Sequence, residues 1–153
     1  MDLHQELAAV IEVLSTNQIP YALVGGLAVS IYTQPRATED IDFLIPEAAW
    51  EAIRIGLRPL GFAVEARLTT PPEGGLQIRR LTKLAPGDSL SLDFLIPGTP
   101  ELRGILEDRV RLSWQGRDLS LASLQGLRRL KRLRGSARDL ADLEALGPDE
   151  GEG

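Results

Sequence analysis

A five-residue segment occurs twice in the sequence and constrains the fold more than any other feature. The segment is Asp-Phe-Leu-Ile-Pro, at positions 42–46 and 93–97. Each copy is typical of a buried strand that stops at its proline, and each carries an aspartate at the same distance from that stop. The segment is too short to indicate a repeat architecture. If the two strands are neighbours in one sheet, Asp42 and Asp93 lie side by side.

Another aspartate, Asp40, precedes Asp42 by two positions. Side chains two apart on a strand share a face, so these two carboxylates project together while Ile41 and Phe43 point into the core. Neighbouring carboxylates repel each other, and Asp93 would be costly to bury without a partner. Three converging oxygen ligands predict a Mg²⁺ site, with Mn²⁺ as the alternative. A solvated strand edge is the competing interpretation of Asp40 and Asp42.

Composition narrows the chemistry further. The 153-residue chain has no cysteine and one histidine, which excludes thiolate and multi-histidine metal sites and leaves oxygen ligands. The net charge of −5 argues against broad, non-specific binding to nucleic acid. No apolar run approaches the ~20 residues that span a bilayer, and the N-terminus lacks the basic start of a signal peptide. We therefore expect a cytoplasmic protein with no membrane partner.

Apolar periodicity and turn residues divide the chain into alternating helices and strands. Helices are predicted over residues 3–17, 27–32, 47–60, 100–107, 121–134 and 137–146. Strands are predicted over 21–24, 40–45, 62–68, 76–84 and 89–96, with a further strand pair in 110–121. No linker interrupts these elements, so we expect one domain over residues 1–146, followed by a disordered acidic tail at 147–153.

A glycine pair, Gly25-Gly26, lies between the first predicted strand and the short helix after it. Glycine lets the backbone turn tightly and approach a ligand, and free N–H groups at a helix start attract phosphate. Alone, such a pair indicates only a turn. A pair followed 14 residues later by Asp-Ile-Asp on a strand is a much more specific signal.

These segments together resemble a known family. The stretches Tyr21-Ala-Leu-Val-Gly25-Gly26 and Pro35-Arg36-Ala-Thr38-Glu-Asp40-Ile-Asp42-Phe43, with the later Asp93, resemble the signature of the DNA polymerase β-like nucleotidyltransferase superfamily. The Arg-x-Thr-x-Asp form is similar to that of small prokaryotic, minimal nucleotidyltransferases, including AbiEii-like toxin components. The segment from Lys131 to Leu143 is similar to their closing helical motif. The resemblance covers roughly residues 20–45, 90–97 and 125–146.

The resemblance implies a mixed α/β (α+β) fold, with helices packed on a mixed central sheet and a C-terminal helical pair. In that family pattern, Gly25 and Gly26 would hold the triphosphate, and Asp40 and Asp42 would hold the metals. Asp93 would bind the second metal and help to deprotonate the acceptor hydroxyl.

Three further residues are candidate nucleotide ligands. Arg36 or Lys131 would neutralise phosphate charge, with Thr38 beside them. Equally, Arg36 and Thr38 could serve only to order their loop. The basic run from Arg128 to Arg138 favours a solvated helix face over a surface that contacts tRNA.

The function that follows from the resemblance is Mg²⁺-dependent transfer of a nucleoside monophosphate from an NTP such as ATP to a hydroxyl acceptor. The acceptor could be RNA, including tRNA, a protein side chain or a small molecule. A role as the toxin of a toxin–antitoxin system would imply an antitoxin partner. The alternative is a catalytically silent domain that has the same fold and binds a nucleotide or a protein partner. Oligomeric state, preferred base and acceptor stay open at this point.

Overall fold

The computed structural model describes residues 1–32, 40–68, 75–134 and 137–147, and contains six α-helices and seven strands in these ranges. The helices are α1 Leu3–Thr16, α2 Gly25–Tyr32, α3 Trp50–Leu57, α4 Pro100–Glu107, α5 Leu124–Arg134 and α6 Ala137–Leu146. The strands are β1 Ala22–Val24, β2 Asp40–Leu44, β3 Phe62–Leu68, β4 Leu76–Ala85, β5 Asp88–Pro97, β6 Val110–Trp114 and β7 Arg117–Leu121. No helix among the described residues has the length and apolar character needed to cross a membrane.

All seven strands form one mixed sheet in the order β3-β4-β5-β2-β1-β7-β6. The pairs β2–β5 and β1–β7 are parallel, and the other neighbours are antiparallel. The two copies of the repeated segment therefore lie on adjacent strands, and Asp42 is in register with Asp93. The predicted mixed sheet with packed helices is confirmed.

An aromatic cluster fills the core on one face of the sheet. The rings of Phe43 and Phe94 stack with centroids 5.4 Å apart, and Tyr21 meets Phe43 edge-on at 5.8 Å. Trp50 of α3 packs against Phe94 from above, and α1 packs beside α3 on this face. Phe43 and Phe94 are fully buried. Such ring pairs each contribute about 0.5–1.5 kcal/mol beyond the area they bury, so this cluster fixes how β2 and β5 pair.

Two helices differ from the pattern-based prediction in their bounds. The predicted helix over 47–60 is three pieces, with 3-10 turns at Glu47–Ala49 and Arg58–Leu60 on either side of α3. Pro59 has no N–H to continue the α-helical ladder, and Gly61, at φ +101°, ends the last turn. Helix α5 begins three residues later than predicted, because the Ser123 Oγ accepts a hydrogen bond from the Gly126 N–H and caps the helix there.

Helix α2 begins at Gly25 rather than at Leu27. It follows β1 without an intervening loop, and it contacts β1, β2, α5 and α6. The glycine pair is therefore the first turn of the helix itself, which places its backbone N–H groups at a helix start. The predicted tail lies outside the described residues from position 148 onward, and the prediction of disorder there stands as it was.

Candidate active site

The three predicted acids lie on one face of two adjacent parallel strands. Asp42 of β2 is in register with Asp93 of β5, and Asp40 is in register with Ser91. Because Asp40 and Asp42 are two residues apart on β2, both project from the face that carries Asp93, opposite the aromatic cluster. Asp93 is 9% exposed, while Asp40 and Asp42 are partly buried. The sheet thus brings together the acids that the sequence predicted would meet.

Gly25 fits against the carboxylate of Asp42. The glycine has φ +73°, and a Cβ placed on it would stand 2.0 Å from Oδ2 of Asp42. Both the left-handed backbone and the lack of space require glycine here. The start of α2 is therefore built directly against one of the acids, so a phosphate at this helix start would lie beside Asp42. Gly26 is the second residue of α2 and is partly buried.

Arg80 of β4 completes the row, and it was not among the residues predicted for the site. It is in register with Asp93 across the β4–β5 hairpin. Its Nε donates to Oδ1 of Asp93 at 2.7 Å, and its Nη2 donates to Oδ2 at 3.0 Å. Counting back along both strands from the tight Pro86-Gly87 turn pairs these two residues, so the hairpin register was a signal available in the sequence.

The surroundings of Arg80 keep its guanidinium positively charged. The hydrogen bond to Asp93 raises the pKa of the guanidinium; burial opposes this, and the charges of Asp93, Asp40 and Asp42 raise the pKa further. Arg80 therefore lies within the field of all three acids. It offsets part of the repulsion that accumulates when these carboxylates share one face of the sheet.

The three carboxylates are ligands of the kind that a hard divalent cation prefers, and Asp93 already binds Arg80. Carboxylate oxygens are what Mg²⁺ and Mn²⁺ prefer, and Asp40 and Asp42 offer them side by side. Within the described ranges, no group of three or more Asp, Glu, His or Cys side chains is arranged to hold a metal ion as it stands. Both oxygens of Asp93 accept from Arg80. The geometry thus places three carboxylates on one face of the sheet, and one of them, Asp93, binds a guanidinium.

Three predicted ligands remain, and of these the described structure places only Lys131. Arg36 and Thr38 lie outside the described residues. Lys131 of α5 forms an ion pair with Asp142 of α6, with Nζ 2.9 Å from Oδ2 and the two side chains 5% and 2% exposed. This buried pair ties the two C-terminal helices together.

A polar cleft of about 900 Å³ opens next to the acids. Asp40 and Arg80 line it at one end, and residues of the β4–β5 turn, including Asp88 and Ser89, line the other. The volume is in the range of small-molecule sites, which are typically 300–1,000 Å³. Two members of the row, Asp40 and Arg80, are therefore reachable from solvent through a space large enough for a ligand.

Comparison with solved structures identifies the architecture. TM1012 from Thermotoga maritima, a proposed nucleotidyltransferase, superposes with a TM-score of 0.64 at 13% identity, over 92% of this chain and 89% of that chain. The antibiotic-resistance factor ANT(2'')-Ia superposes with a TM-score of 0.61 at 11% identity, over 95% and 84%. JHP933 from Helicobacter pylori gives 0.58 at 17% identity, over 97% and 66%. The chain has the nucleotidyltransferase fold.

Identities of this size show the nucleotidyltransferase fold alone, and no protein-family model or curated protein sequence matches the chain. Any activity of this chain therefore depends on the site residues themselves. In this nucleotidyltransferase fold, the relevant features are the three acids, the Gly25 helix start and Arg80.

Proposed function

We propose that this chain is a Mg²⁺-dependent nucleotidyltransferase that moves a nucleoside monophosphate from an NTP to a hydroxyl acceptor. One observation carries the proposal: Asp40, Asp42 and Asp93 share a face of β2 and β5, and Gly25 packs against Asp42 at the start of α2. This arrangement combines oxygen ligands for a cation with N–H groups that suit a phosphate. Structural similarity to nucleotidyltransferases supports the reaction class.

The transfer exchanges one bond at the α-phosphorus for another. The acceptor oxygen forms a bond to that phosphorus, the bond from the phosphorus to the oxygen bridging to the β-phosphate breaks, and pyrophosphate leaves. Asp93 takes the hydroxyl proton. Asp40 and Asp42 would hold the Mg²⁺, which supplies neutralisation of phosphate charge. The N–H groups of Gly25 and Gly26 orient the triphosphate at the helix start.

A small molecule is the acceptor that the site favours. The cleft that begins at Asp40 and Arg80 has a volume suited to a ligand of that size. A structure of ANT(2'')-Ia, similar to this chain with a TM-score of 0.59 at 10% identity, contains adenylyl-2''-tobramycin. The AbiEii-like toxin role, with tRNA or protein as acceptor and an antitoxin as partner, is supported by the sequence resemblance alone.

The test is an assay with each of four α-³²P-labelled NTPs and Mg²⁺ or Mn²⁺. Tobramycin, bulk tRNA and the protein itself serve as separate acceptors, and both pyrophosphate release and label transfer are measured. Asp42→Asn should reduce transfer at least about a hundredfold, because a group that stabilises the transition state is lost. Asp108→Asn, an exposed aspartate at the end of α4, is the matched control and should retain activity. Label on tRNA or protein rather than on a small molecule would favour the toxin role.

A catalytically silent nucleotide-binding domain is the second candidate. The observation that favours it is the Arg80–Asp93 pair, which occupies both oxygens of the third acid. In that case calorimetry would detect NTP binding, while no NTP or acceptor would give label transfer. If Asp40→Ala left nucleotide affinity and its metal dependence unchanged, the acids would not form a working site under either candidate function.

A further inference from the structure

Arg80 lies between the Asp93 carboxylate and the cleft. Its side chain is 34% exposed, against 12% for the Asp93 side chain that it binds. It also lines the cleft together with Asp40. One side of the guanidinium therefore binds Asp93, while the side chain remains open to a ligand that enters from solvent.

The partner of Arg80 is a group that a phosphate can imitate. Two N–H groups of the guanidinium bind the two oxygens of Asp93 as a fork. The same planar fork binds two oxygens of a phosphate in the same way. A phosphate close to the acids would thus compete with Asp93 for Arg80 on equal geometric terms.

Asp93 itself lies between two opposing influences. Asp42, in register on one side, repels it, and Arg80, in register on the other side, attracts it. A divalent cation shared by Asp42 and Asp93 would remove the repulsion and take over the role of the guanidinium. Arg80 and the cation would therefore compete for the same carboxylate.

We propose that Arg80 is a nucleotide-binding residue that exchanges partners: it holds Asp93 before the nucleotide arrives and moves to a phosphate when the nucleotide binds. The exchange releases Asp93 for the divalent cation. This proposal rests on the proposed function, because it assigns a phosphate ligand and a cation ligand to that same site. It also couples the two binding events, since a ligand that draws Arg80 away improves the site for the cation.

The proposal makes two predictions of opposite sign for Arg80→Gln. Binding of Mn²⁺ alone, measured by calorimetry or electron paramagnetic resonance, should tighten because Arg80 no longer competes for Asp93, by about tenfold, the lower end of the changes in affinity that partners of metal ligands cause. Binding of ATP in EDTA, measured by calorimetry, should weaken about tenfold, because a charged phosphate contact is lost. Arg67→Gln is the matched control. It removes an exposed arginine on β3, in register with Arg79 and hence on the opposite face of the sheet, and should change neither affinity.

Arg80→Lys separates the effect of the positive charge from that of the guanidinium geometry. It also replaces Arg80→Gln as the test if circular dichroism shows that the glutamine variant does not fold. It keeps the positive charge but lacks the fork, so Mn²⁺ should bind somewhat more tightly and ATP more weakly than in the wild type. Weaker or unchanged Mn²⁺ binding in folded Arg80 variants would overturn the exchange. If such variants also transferred nucleotide normally, the proposed function would stand without it. Absence of both Mn²⁺ and ATP binding in the wild type would overturn the exchange and the proposed function together.

Discussion

Replacing Gly25 with alanine tests how closely the start of α2 and the Asp42 carboxylate depend on each other. The φ of +73° costs an alanine about 1–2 kcal/mol, because its Cβ crowds the backbone. The new Cβ would also stand 2.0 Å from Oδ2, 2.8 Å from Cγ and 2.9 Å from Cβ of Asp42. Overpacking of this kind costs about 1–3 kcal/mol more. We therefore expect a loss of about 2–5 kcal/mol in the free energy of unfolding.

Gly116→Ala isolates the backbone part of this loss. Gly116 has φ +74° in the β6–β7 turn, and a Cβ there would have no neighbour within 4 Å. At about 2–4 °C per kcal/mol, Gly25→Ala should melt about 2–12 °C below Gly116→Ala in calorimetry. Mn²⁺ affinity should also fall in Gly25→Ala alone, because the Asp42 carboxylate must move. Equal melting temperatures for the two variants, with unchanged Mn²⁺ affinity, would refute the argument.

Three other substitutions test the packing around the site. Lys131→Met should cost about 3–5 kcal/mol in urea unfolding, since it removes a charged partner of the buried Asp142 carboxylate. Arg129→Met, on the exposed face of α5, should stay within about 0.5 kcal/mol of the wild type. Burial raises the pKa of Tyr21 above its ordinary 10.0, so its contribution to stability is complete below about pH 10 and is lost as the pH rises through the folded-state pKa. Urea unfolding from pH 9 to 11 should show a smaller loss for Tyr21→Phe than for the wild type. Phe94→Ala should cost about 3–5 kcal/mol and also weaken Mn²⁺ binding, because the ring fixes the pairing of β2 with β5; native Mn²⁺ affinity in this variant would contradict that role.

Local signals predicted the strands and the face of β2 that carries the acids, whereas the mixed sheet was predicted from the family resemblance. The two copies of Asp-Phe-Leu-Ile-Pro have the same apolar pattern and the same stop, which predicts equivalent positions for Asp42 and Asp93 on their strands. The alternation of Asp40, Ile41 and Asp42 fixes which face carries the carboxylates. Both inferences use periods that the backbone itself imposes, whereas the pairing of β2 with β5 is a long-range contact that the sequence left as a condition and the structure meets.

Two contacts were not predicted, for different physical reasons. The ion pair of Lys131 with Asp142 is set by how α5 lies against α6, and the candidate role of Lys131 as a phosphate ligand stays a prediction. No local pattern encodes that crossing. The contact of Arg80 with Asp93 depends on the hairpin register, which the turn at Pro86-Gly87 determines. The roles of Arg36 and Thr38 remain predictions, since both residues lie outside the described ranges.

The repeated segment connects the stability of the core with the geometry of the site. Each copy places a phenylalanine on one face of the sheet and an aspartate on the other, one residue apart. The register that stacks Phe43 on Phe94 at 5.4 Å is the register that sets Asp42 beside Asp93. A slip of one residue would turn an acid into the core and a ring into the cleft, which burial energy forbids. Burial of the two rings therefore offsets the repulsion between the two carboxylates and holds them as neighbours before any cation binds.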